Sequence, residues 1–265
     1  MKRNLILLSV FLLCILCILP VAVPAESGSS ADDVIVENVD LDPIPSAAAK
    51  DAFIEDIIAL GEKLYIQANG KLQRAHYSGD IYVCKNFTVY LFRQNRDDFR
   101  MAEYPGTELV IPNNLPAKKC KPYAYGFLWE DVSAEKGNPF EVAAQFIYDT
   151  NLSREENMAL AKDFMRKAQR GDYFQMSANY EYGVGAHSAI MLSYDPETDE
   201  IHWMDSNMRG GKKDGIRYGL VQYDAVKSVE WWASAFCHKK RGATLYRLRE
   251  DIIYAAGKEP GTQEE

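Results

Sequence analysis

The chain has 265 residues, 47% hydrophobic and 26% charged, enough for one ordinary globular domain with a sizeable core or for two small ones. Its 12% aromatic content excludes disorder throughout, and 17 Gly with 11 Pro exclude a collagen-like or low-complexity chain. A formal charge of −8 argues against wrapping nucleic acid or docking on anionic lipid.

Lys2 and Arg3 precede the apolar run Leu5 to Leu19, and Val23-Pro24-Ala25 offers compact residues where a signal peptidase reads. This layout predicts a secretory signal peptide over residues 1–25, cleaved before Glu26. The run is short against the ~20 residues of a membrane span. The expected product is secreted or held in the cell envelope, free of the membrane after cleavage. Cleavage removes Cys14 and Cys17 and leaves 28 basic against 38 acidic residues, or −10. The three remaining cysteines, Cys84, Cys120 and Cys237, allow one disulfide and a free thiol, or three thiols. A Cys120–Cys237 bridge is the pairing that leaves Cys84 free.

Residues 26–46 are acidic, rich in Ser, Ala and Pro, and read as a solvated spacer. From Ala47 to Ala68 a helical stripe is formed by Phe53, Ile54, Ile57, Ile58, Leu60, Leu64 and Ile66, with Gly70 as its stop. A second helix is expected from Cys84 to Arg96, burying Phe87, Tyr90, Leu91 and Gln94, after a Gly79-Asp80 turn. Residues 101–140 hold five of the 11 prolines and read as irregular, part of a loop-rich insertion reaching about residue 165. Tyr123, Tyr125, Phe127 and Trp129 cluster in it. Phe140 to Tyr148 reads as helical. Ser153-Arg154-Glu155-Glu156 is a capping box that opens a helix to about Gln169, ended by Gly171.

After Gly171 the pattern changes to short β-branched or aromatic runs: 173–176, 187–194, 201–205, 216–223 and 243–248. Asp195-Pro196-Glu197-Thr198-Asp199 is a hairpin signal, and Asn207 to Gly215 reads as a loop. Trp231-Trp232 reads as packing in a short helix or strand. Helices followed by an antiparallel sheet predict an α+β domain over 47–255, with a polar tail from about 256.

Three residues in this order fit a thiol nucleophile. Cys84 at a helix N-terminus sits in the positive end of the peptide dipoles, which favours the thiolate. The backbone amides of Cys84 and Lys85 are there to stabilise an oxyanion. His187 opens a strand after Gly183-Val184-Gly185-Ala186 and serves as general base, then acid. Asp205 on the next strand orients the imidazole. Asn207 is the first alternate for that role, since it shares a strand face with Asp205, and His202 is the second. His76 and His238 lack metal-ligand partners at useful spacing.

Cys84-Lys85-Asn86-Phe87-Thr88-Val89-Tyr90-Leu91 resembles the nucleophile helix of NlpC-type cell-wall cysteine peptidases. Gly171-Asp172-Tyr173-Phe174 and His187-Ser188-Ala189-Ile190-Met191 are similar to their Gly-Asp strand entry and His-led strand. Asp205-Ser206-Asn207 resembles the acid-x-Asn of the related cysteine, histidine-dependent amidohydrolases (CHAP). Val83 stands where NlpC-type enzymes carry Asp, and the Cys84-to-His187 separation of 103 positions is long for compact members. An inserted lobe is the expected reason. The resemblance implies a papain-like fold, N-terminal helices on an antiparallel sheet, and amide hydrolysis in peptidoglycan or related peptides without metal or cofactor. A monomer is expected. Acyl transfer to an amine through the same thioester, and a non-catalytic binding module on the same scaffold, are the alternatives.

Overall fold

The structure is a computed structural model and describes residues 46–75, 81–111, 117–120, 126–129, 136–213 and 216–258. These lie in one compact unit, Asp42–Glu265. The predicted signal peptide and spacer, the Gly79-Asp80 turn, His76, Tyr123, Tyr125 and the tail beyond 258 lie outside the described residues.

In chain order the elements are α1 (Ser46–Ala68), β1 (Gln73–Ala75), α2 (Cys84–Asn95), β2 (Phe99–Met101), β3 (Tyr104–Glu108), β4 (Ala117–Cys120), β5 (Gly126–Trp129) and β6 (Phe140–Phe146). They continue with α3 (Arg154–Met165), β7 (Tyr173–Met176), β8 (His187–Asp195), β9 (Glu200–Lys213), β10 (Ile216–Ser228), α4 (Val229–His238), β11 (Ala243–Leu248) and β12 (Ile252–Tyr254). The expected α+β class holds. Among the described residues the main sheet has the order β1-β10-β9-β8-β7-β11-β6, every neighbouring pair antiparallel.

Alternation along the strands divides the core between the two sheet faces. On β8, Ile190 and Leu192 join the cluster built on α1 and α2, while Ala189 and Met191 join the one built on α3 and α4. Helices therefore cover both faces; the sequence pattern anticipated α3 as a helix, but not that α3 and α4 cover the second face. In α1, Phe53, Ile54, Ile57, Ile58 and Leu64 are buried as expected, but Ile66 is exposed. In α2, Phe87 and Leu91 are buried and Tyr90 half-buried, whereas Gln94 is exposed and Thr88, Val89 and Phe92 take the core positions. Asp195 nucleates the β8–β9 turn by accepting from the Glu197 amide at 2.8 Å and the Thr198 hydroxyl at 3.0 Å.

Four expectations are corrected. Phe140 to Phe146 is strand β6, not helix. It carries one extra residue against β11 between the Ala144–Leu245 and Val142–Tyr246 pairs, which sends Phe140 and Phe146 to opposite faces and erases the two-residue period. The described parts of 101–165 are built largely of strand and helix that pair with or pack on other parts of the chain. β2 and β3 form a three-stranded sheet with the distant β12, β6 is an edge of the main sheet, and α3 packs against α4. The capping box forms with both reciprocal bonds, but α3 stops at Met165, where amides 167 and 168 bond three residues back. Finally, 207–213 is no loop, because β9 stays paired with β10 to Lys213.

Among the described residues no helix is long and apolar enough to cross a membrane.

Candidate active site

Cys84 is the first residue of α2, and Val83 supplies no side-chain cap to the helix start. Two features hold this turn against the sheet. The Ser206 hydroxyl on β9 donates to the Tyr82 carbonyl at 3.1 Å. Beneath that carbonyl lies Gly219 of β10, where a Cβ would stand 2.1 Å from Tyr82 O. A glycine inside a strand here marks a close approach of two backbones.

His187 opens β8. Its Nε2 lies 2.8 Å from Asp205 Oδ2, and both side chains are largely buried. The imidazole also hydrogen-bonds the Cys84 sulfur. With Nε2 facing Asp205, Nδ1 is the ring nitrogen left for the thiol. Asp205 is itself held: Trp203, two residues earlier on the same strand face, donates Nε1–H to Oδ2 at 3.2 Å. Trp203 in turn packs edge-on against Trp232 of α4, with ring centroids 5.0 Å apart. Asp205 Oδ1 is buried and meets no hydrogen-bond partner among the described residues.

The electrostatics favour charge separation. Burial pushes the Cys84 thiol up, but the hydrogen bond and charge of His187 and the amides of Ser188 and Lys85 outweigh it, leaving the thiol below its ordinary value. Burial likewise pushes His187 down, while its bonds to Asp205 and Cys84 raise it to about 9. The two shifts run in the same sense, each toward thiolate beside imidazolium.

The alternates fall elsewhere. Asn207 lines the same cleft as Asp205 without bonding His187. His202 faces Asp224, Nδ1 to Oδ1 2.6 Å, and takes no part in the Cys84 cluster. Cys237 is a free, buried thiol in the α3–α4 core, and burial raises its pKa. Cys84 is therefore free without a bridge at Cys237; the Cys120 side chain lies outside the described residues. Trp231 and Trp232 part company, the first 47% exposed and the second 2%.

A cleft of about 820 Å³ runs along this face, lined among others by His187, Asp205, Asn207, Gly185, Arg241 and Trp231. Among the described residues no group of three or more His, Cys, Asp or Glu side chains is placed to hold a metal ion. Trp203, Ser206, Gly219 and Arg241 were not singled out by the sequence pattern. The first three carried readable signals: an aromatic two residues from an acid, a hydroxyl beside it, and a glycine within a strand. Arg241 carried none.

No family model, curated protein or solved structure matches the chain.

Proposed function

We propose that this protein is a secreted cysteine amidase or endopeptidase of papain-like type, acting on amide bonds in peptidoglycan or related peptides. The observation that carries the reading is the continuous relay from Cys84 through His187 to Asp205. The arrangement of a nucleophile helix packed on antiparallel strands that bear base and acid supports the papain-like assignment.

The Cys84 thiolate attacks the amide carbon, forming the C–S bond while the carbonyl electrons move to oxygen. In this reading the backbone amides of Cys84 and Lys85 receive that oxyanion. Collapse breaks the C–N bond, and the imidazolium Nδ1–H protonates the departing amine. Water then attacks the thioester, losing its proton to His187 and restoring the thiolate. Asp205 accepts from Nε2–H throughout, holding the ring and its positive charge.

The test is to incubate the full chain and its Cys84→Ala variant with purified peptidoglycan and identify released fragments by mass spectrometry. The reading expects new amine and carboxyl termini from the wild type alone; equal turnover by both proteins counts against it. An added amine reports acyl transfer as a mass-shifted product.

A further inference from the structure

Arg241 follows α4 and reaches under the loop that leads into His187. It is 8% exposed, yet it lines the cleft that holds His187, Asp205 and Asn207. Its Nε donates to the Ser177 carbonyl at 2.8 Å and its Nη2 to the Gly185 carbonyl at 2.7 Å. The next carbonyl, that of Ala186, lies 4.0 Å from the Cys84 sulfur. Guanidinium and sulfur thus flank two successive peptide units of one loop. Among the described residues Nη1 meets no partner and no carboxylate pairs with the group.

Two carbonyls satisfy two N–H groups but do not neutralise a charge, and a buried cation left unpaired is unfavourable. Burial already lowers Arg241 to about 10, with the negative Cys84 sulfur acting the other way. Acids outnumber bases in the chain, 38 to 30, yet among the described residues none pairs with Arg241. A guanidinium lining a cleft without a paired carboxylate suits a carboxylate brought by the ligand.

We infer that Arg241 anchors a carboxylate of the substrate, so that the site takes peptides or amides bearing a free carboxylate next to the bond under attack. This rests on Cys84 being the nucleophile of a thiol hydrolase.

The experiment alkylates the full-length protein with iodoacetate and iodoacetamide, near-isosteric reagents that differ in charge, and quantifies the Cys84 adduct by peptide mapping. The iodoacetate-to-iodoacetamide rate ratio is expected to fall about 10-fold in Arg241→Gln, which keeps donors but removes the charge. An unchanged ratio in a variant with wild-type circular dichroism overturns the inference. If the variant does not fold, a second arm on the wild type decides. N-acetylglutamate is expected to slow iodoacetamide labelling of Cys84 at least about 5-fold more than N-acetylglutamine at equal concentration, and equal protection overturns the inference. Slow labelling of Cys84 by both reagents is a separate outcome. It rejects the thiol-hydrolase reading itself, and the carboxylate anchor with it.

Discussion

Strand β9 takes part in two histidine–aspartate pairs that are chemically alike and physically unlike. Asp205 accepts His187 at 2.8 Å with side chains 4% and 13% exposed, and a sulfur stands on the ring's other side. Three residues away His202 meets Asp224 at 2.6 Å, with side chains 27% and 57% exposed and no nucleophile in the pair. Water and salt screen the second pair, and exposed ion pairs contribute ~0–1 kcal/mol. The first has lost that screening, so its hydrogen bond settles where a proton resides. A His–Asp contact becomes a relay through what surrounds it.

Changes to the buried pair should therefore dwarf changes to the exposed one. Cys84→Ala removes the proposed nucleophile and should lower hydrolysis by about 10³-fold or more, measured as kcat/KM on any substrate that peptidoglycan digestion identifies. Asp205→Asn comes next, with a fall of about 10²- to 10⁴-fold. It also carries a pH signature. Wild-type kcat/KM should rise as Cys84 loses its proton, below the thiol's ordinary value, and fall as His187 loses its own at about 9. Asp205 is a cause of the raised His187 value, so its loss should move the alkaline limb to lower pH. A limb that stays in place assigns the orienting role elsewhere, with Asn207 first in line.

Gly219→Val tests the platform beneath the nucleophile. A Cβ there collides with Tyr82 O, and a shift of about 1 Å at Cys84 is expected to cut activity about 10- to 100-fold with Asp205 and His187 untouched. Trp203→Phe removes one donor from the Asp205 carboxylate, worth about 1 kcal/mol or a 5-fold loss. His202→Gln and Asp224→Asn should change activity by less than about 2-fold and stability by less than about 0.5 kcal/mol. A large effect from either would erase the distinction between the pairs.

The sequence carried the site further than it carried the fold. Cys84 and His187 sit at element edges and Asp205 inside a strand, where local pattern speaks clearly: a helix start without a cap, a strand start after glycines, an acid on a paired strand. The two-residue period also separated Asp205 from His202. Elements that depend on distant partners were less legible. β3 contains Pro105 and Gly106 and is a strand because β2 joins it to β12, about 150 residues on. β6 reads as a helix because its extra residue breaks the alternation that would identify it. The sequence pattern ended β9 at Asp205 because its polar, glycine-bearing end is held by pairing with β10, which the local pattern does not show. Arg241 was invisible for a related reason: its partners are backbone carbonyls, which leave no trace in the order of side chains.

The pH dependence of Cys84 carbamidomethylation tests the central claim most directly, because it reads the thiolate without requiring a substrate. The account predicts that Cys84 reacts well ahead of the buried Cys237, with a midpoint below 9.0 that rises in His187→Ala. A Cys84 that titrates as an ordinary thiol in both proteins, or that lags behind Cys237, would contradict it.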